Sequence, residues 1–153
     1  MKTSVKLMFL GVLGSIMAPV AAQAQWWSQH PAYLHVLSDL RTAHWLIQHR
    51  GASDPVQGAE ESNALAEIDA AYHDLEAASV SDGKNLADQP PANFPWDNQR
   101  GRLHQAVDVL HKAHEELRGA EDNPAARDLR ARAIRHVEAA SALTRSAIQH
   151  YNY

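Results

Sequence analysis

Apolar side chains recur at three- and four-residue intervals in four separate stretches of this chain. No stretch shows the two-residue alternation of a strand. In residues 31–49 the stripe is Tyr33, Val36, Leu37, Leu40, Ala43, His44 and Ile47. In the second stretch it is Ala64, Leu65, Ile68, Ala71, Tyr72 and Leu75. Residues 96–118 place Leu103, Ala106, Val107, Leu110, Ala113, His114 and Leu117 on one face. The last stretch does the same with Ala126, Arg130, Ala133, Ile134, Val137, Ala140, Thr144 and Ile148. A helix with one greasy face must hide that face against another. The pattern therefore predicts an all-α fold, a four-helix bundle with up-down-up-down antiparallel order.

Proline and glycine mark the ends. Pro31 suits a first helical position, where a missing N–H costs nothing, and Gly51 stops the first helix. The second helix opens at Asp54-Pro55 or later at Ser62, and ends near residues 80–83. Asn123 is a natural cap for Pro124 at the start of the fourth. Between the second and third helices, Gly83, Pro90, Pro91 and Pro95 forbid a continuous helix over residues 80–95. Connections of that length are uncommon in compact domains and tend to wrap the fold or carry function.

The two halves match. At an offset of 70, Leu40 falls on Leu110 and His44 on His114. At an offset of 69, Asp54-Pro55 falls on Asn123-Pro124 and Ile68-Asp69-Ala70-Ala71 on Val137-Glu138-Ala139-Ala140. A duplicated αα-hairpin with a pseudo-twofold axis is the reading that follows.

Residues 1–24 read as a cleaved secretory signal peptide. Lys2 and Lys6 are the basic start, residues 7–17 are an apolar run, and Ala22-Gln23-Ala24 supplies the small residues before the cut. That run is about half of the roughly 20 residues needed to span a bilayer. The expectation is a single domain of residues 25–153 in the periplasm or outside the cell, with no membrane span after cleavage. The chain has no cysteine, so such a domain must be held by packing alone. Removal of Lys2 and Lys6 leaves 12 basic against 18 acidic residues. A net acidic surface argues against nucleic-acid partners, which require a basic face.

The chain resembles an uncharacterised family of exported bacterial four-helix-bundle proteins. The resemblance lies in His30-Pro31-Ala32-Tyr33-Leu34-His35, Ser38-Asp39-Leu40-Arg41, Asp82-Gly83-Lys84, Pro90-Pro91 and Gly101-Arg102-Leu103-His104. It continues in Glu121-Asp122-Asn123-Pro124 and in Arg130-Ala131-Arg132-Ala133-Ile134-Arg135-His136. It implies compartment and fold, and carries no activity with it. The family more often shows Arg at the places of His44 and His114 and His at that of Gln89, which counts against a site built on the two histidines.

No cysteine nucleophile, haem-attachment motif, phosphate-binding glycine loop or nucleophile elbow is present, and no Glu-x-x-His pair repeats on two helices. The expectation is a non-enzyme that binds a protein or a small ligand and needs no cofactor. The alternative is binding of a divalent transition metal by His44, His111, His114 and Glu61, set near one end of an up-down-up-down bundle. Imidazoles with one carboxylate suit zinc, copper or nickel. Against it stands the reading of His44 and His114 as half-packed boundary residues. A second surface gathers Asp82, Lys84, Phe94, Trp96, His35 and His104 at the end that carries the long connection. Phe94 and Trp96 would serve there either as interface anchors or as covers for the core. Trp45 lies off its helix's stripe and is expected to be partly exposed. Trp26 and Trp27 pack on the bundle or contact a partner.

Overall fold

Each striped stretch is a helix in the computed structural model, which describes residues 32–49, 54, 56–94, 99–119 and 123–151. The helices are α1 (Tyr33–Gln48), α2 (Ala59–Ser81), α3 (Gln99–Leu117) and α4 (Pro124–His150), with one 3-10 turn at Leu86–Asp88. Among the described residues there is no strand. Residues 1–24, read from sequence as a leader, lie outside the described residues, as do Trp26, Trp27, His30, Pro31 and Trp96.

The helix ends follow local chemistry. Asn123 accepts a hydrogen bond from the Ala125 N–H at 3.1 Å, and Pro124 is the first residue of α4, as the sequence predicts. The start of α2 falls between the two predicted points, because Glu61 reaches back to accept from the Gly58 N–H at 2.8 Å. At the other end Gly83 takes φ +69°, a conformation that costs glycine little. Gly83 N–H then bonds the Val80 carbonyl and Lys84 N–H the Ser79 carbonyl, the paired bonds that close a helix C-terminus.

The core is built from the predicted stripes. Tyr33, Val36, Leu37, Leu40, Ala43 and Ile47 of α1 are buried, as are Leu103, Ala106, Leu110, Ala113 and Leu117 of α3. In α2 and α4 alanine recurs every seventh residue, at Ala64, Ala71 and Ala78 and at Ala126, Ala133, Ala140 and Ala147, all buried. Side chains this small let two antiparallel helices approach closely, and α2 and α4 form the most extensive interface of the bundle. Arg130 and Ile134, read as inward residues of the last helix, are half-buried. Arg130 instead donates to the Leu117 carbonyl at 2.9 Å and to the Gly119 carbonyl, satisfying the last turn of α3.

The order of the helices corrects the sequence reading. Asn123 Nδ2, at the start of α4, donates to the Ser81 carbonyl at the end of α2. Tyr151, at the end of α4, reaches Glu61 at the start of α2. These helices are antiparallel neighbours. Arg102, at the start of α3, pairs with Asp54 in the turn between α1 and α2, while the end of α3 meets Arg130 near the start of α4. Helix α3 therefore runs parallel to α2, and α1 packs on α3 as well as on α2. The order is up-down-down-up, with α1/α4 and α2/α3 as the diagonals.

The seventeen residues between Ser81 and Gln99 make this path. Residues 82–94 run along the outer side of α1, and α3 begins at the other end of the bundle. Ser38 Oγ donates to the Pro91 carbonyl at 3.1 Å, and the Asn93 N–H donates to Thr42 Oγ1 at 3.0 Å. Phe94 then meets Trp45, with ring centroids 5.4 Å apart. Contact thus advances along α1 as it advances along the crossover. Thr42 and Ser38 are buried polar residues because the crossover covers them and takes up their hydrogen bonds.

The duplicated-hairpin pattern fits this order. A twofold axis perpendicular to the bundle relates α1 to α3 and α2 to α4, and residues that match by offset meet near it. Glu67 and His136, 69 apart, bond at 2.6 Å.

Candidate functional site

A groove lies between α1 and α2 where the crossover passes. Its volume is about 360 Å³. Leu40 of α1 and Ile68 of α2, both buried, form the floor. Trp45, Tyr72 and Phe94 form apolar walls, and Arg41, His44, Gln48 and Asp69 are the charged or polar groups of the rim. The walls come from three separate segments. Trp45 sits off the core stripe, half-buried, with its ring stacked on His49 at 4.5 Å and 16°. Tyr72 is held by its hydroxyl against Gln89 of the crossover at 3.4 Å. Phe94 is 45% exposed, an unusual state for a phenyl ring, and leans on Trp45 with its rings at 45°. On the rim His44 Nε2 lies 3.4 Å from Asp69 Oδ1.

A second groove of about 230 Å³ lies between α3 and α4, lined by Leu110, His111, His114, Glu115, Val137, Glu138, Ser141 and Arg145. It is the counterpart of the first. His114 Nε2 lies 3.0 Å from Glu138 Oε1, as His44 lies beside Asp69, and the two pairs match by the sequence offsets of 70 and 69. His114 Nδ1 also faces Glu115 Oε1 at 3.3 Å. That hydrogen bond, with Arg118 nearby, holds the Glu115 carboxyl below its ordinary value.

The four candidate metal ligands do not share one point. Glu61 is buried at the end of the bundle where α4 finishes, its Oε2 accepting from the Gly58 N–H at 2.8 Å and from the Tyr151 hydroxyl at 2.9 Å. His44 belongs to the α1–α2 groove, and His111 and His114 to the α3–α4 groove. The two histidines match by sequence, but each is turned toward its own hairpin partner. Among the described residues no group of three or more His, Cys, Asp or Glu side chains is placed to hold a metal ion.

The second predicted surface is likewise divided by the reversal of α3. His35, exposed near the start of α1, and the Asp82–Lys84 ion pair at 3.0 Å lie toward one end. His104, exposed near the start of α3, lies toward the other. Phe94 sits along α1, where it is an exposed wall rather than a cover over the core. Sequence reasoning noted Trp45 and Phe94 singly and read Tyr72 as core, but missed Arg41 and Asp69. The available signal was the aromatic excess of one half: Trp45 and Tyr72 fall on Glu115 and Ser141 of the other.

No described helix is long and apolar enough to cross a membrane. The chain matches no protein-family model, no curated protein and no solved structure. Helices without a strand among the described residues, packed against one another in a four-helix bundle, are the structural class to which the chain belongs.

Proposed function

We propose that the chain is an exported, non-catalytic binding protein whose site is the α1–α2 groove, and whose ligand is a small, mostly apolar molecule. One observation carries the reading: three aromatic rings from α1, α2 and the crossover converge on an apolar floor. Such a mixture of apolar walls and few polar groups is what small-molecule sites present. Export is supported by the basic start, short apolar run and Ala22-Gln23-Ala24 of the leader, and by the resemblance to exported bundle proteins. In calorimetric titration, the neutral probe 2-naphthylmethanol is expected to bind one site per chain with micromolar affinity. Phe94→Ala, which removes an exposed wall and little core packing, is expected to weaken it by about tenfold. Binding that is unchanged in Phe94→Ala places the ligand elsewhere, and no binding at all rejects the groove.

A second reading, divalent metal binding, draws on the α3–α4 groove, whose His and Glu side chains are not grouped for a metal as they stand and would have to turn toward one another. His111 and His114, one turn apart, line it together with Glu115 and Glu138. Here zinc would raise the melting temperature at neutral pH, by an amount that grows with free zinc above the Kd. His114→Ala is expected to abolish the rise. A rise that survives this substitution reports surface histidines only.

A further inference from the structure

The two grooves provide an internal comparison. Their floors are alike: Leu40 and Ile68 in one occupy the places of Leu110 and Val137 in the other. Their walls are not. Where the α1–α2 groove has Trp45, its counterpart has Glu115, 49% exposed, and where it has Tyr72 the counterpart has Ser141. The same helix-pair geometry thus forms with a carboxylate and a hydroxyl at those places. Helix packing does not demand the aromatic walls, and only this groove receives a third ring from the crossover. What the rings share is a flat apolar face. Three of them around a volume of about 360 Å³ suit a planar body of one or two fused rings, since this is near the lower end of the roughly 300–1,000 Å³ range of small-molecule sites.

The charges on the rim decide the rest. Asp69 is engaged by His44 at 3.4 Å. Arg41 also lines the groove, and its guanidinium makes no ion pair or hydrogen bond among the described residues. Lys112 and Arg132, by contrast, face carboxylates, Asp39 at 2.9 Å and Asp74 at 2.5 Å; Arg145 of the other groove is uncommitted like Arg41 but has no aromatic walls beside it. A planar guanidinium left uncommitted beside three aromatic rings matches a carboxylate, which it can grip with two parallel N–H donors. The adjacent Asp69 carboxylate restricts the acidic group of a ligand to the Arg41 side.

Building on the reading of the groove as the binding site, we propose that its ligand is a small planar aromatic carboxylate. The ring system lies among Trp45, Tyr72 and Phe94, and the carboxylate sits on Arg41.

The test compares 2-naphthoate with its neutral analogue 2-naphthylmethanol on the full processed chain by calorimetry, in wild type and in Arg41→Gln. The substitution removes an exposed charge and leaves the core alone. Naphthoate is expected to bind about tenfold more tightly than the alcohol, an advantage that falls with rising salt. In Arg41→Gln that advantage, read as the ratio of the two affinities within each variant, is expected to shrink to less than about twofold. Equal affinities for the two probes in wild type overturn the carboxylate assignment and leave the groove as an apolar site. An advantage that persists in Arg41→Gln also overturns it, because the anion is then read by another group. If neither probe binds, the reading of the groove as a site fails, and the ligand class fails with it.

Discussion

Arg102→Ala is expected to lower the stability of the folded chain by about 3 kcal/mol, the low end of what breaking a buried ion pair costs. The Arg102 side chain is 4% exposed and its Nη2 lies 2.6 Å from Asp54 Oδ2, whose side chain is 14% exposed. Truncation removes the cation from a carboxylate with little access to water and leaves a gap where the aliphatic stem packed. The partial exposure of Asp54 keeps the cost at that low end. Urea unfolding followed by circular dichroism reads it as a fall in midpoint at constant slope. The stronger measurement is a double-mutant cycle with Asp54→Asn, where a coupling of about 2 kcal/mol is expected. This cycle also reads the topology. In an up-down-up-down bundle Arg102 would stand at the far end, near Asp82 and Lys84, and would be independent of Asp54. A coupling near zero would therefore refute the crossover as well as the ion pair.

The direction of α3 was not legible in its stripe, because an amphipathic helix hides its apolar face equally well pointing either way. The stripe specified the elements and their core: Leu103, Leu110 and Leu117 are buried where the periodicity put them. What the periodicity lacked was a signal for connection. Two such signals were present. Seventeen residues can extend about 56 Å at about 3.3 Å each, whereas the 23 residues of α2 rise about 35 Å at 1.5 Å each, so the loop was long enough to return to the other end. Ser38 and Thr42, one turn apart on the outer side of α1, were the second. They look like residues of a solvated face and are in fact the anchors of the crossover.

The candidate site was legible in a different way. The offset that matched His44 with His114 also matched Asp69 with Glu138, and the structure pairs each histidine with its own hairpin's acid. The symmetric histidines are thus explained by two equivalent local contacts, with no need for convergence in the core. The groove was hidden for the opposite reason. Its walls break the symmetry, and residues such as Arg41 and Trp45 belong to no stripe. A comparison of the two halves position by position exposes them, since Trp45 against Glu115 and Tyr72 against Ser141 are large changes in side-chain chemistry at places where the backbone repeats.

Glu61→Ala is the second large expected effect, again about 3 kcal/mol, and it bears on what that carboxylate is for. Sequence alone made Glu61 inward-facing, since it lies three residues before Ala64, and its 1% exposure agrees. Its role is nevertheless that of a clasp. One oxygen accepts from the Gly58 N–H, an otherwise orphaned donor at the start of α2, and from the hydroxyl of Tyr151 beyond the end of α4. Alanine leaves two half-buried donors without that acceptor, at about 1–2 kcal/mol for each, the lower part of the range for a buried unmet donor. Glutamine keeps a carbonyl oxygen that can serve both donors, and gives up mainly the charge that the N-terminal end of α2 favours, about 1 kcal/mol. Thermal melts of the two variants separate these contributions. Tyr151→Phe should cost about 1 kcal/mol in wild type and almost nothing in Glu61→Ala, because the hydroxyl then has lost its acceptor. A clasp and a metal ligand make opposite predictions for a zinc titration. As a clasp, Glu61→Ala lowers the melting temperature with and without zinc by the same amount. A zinc-induced rise that disappears in Glu61→Ala while the metal-free melt stays near wild type would mean the carboxylate serves a metal instead.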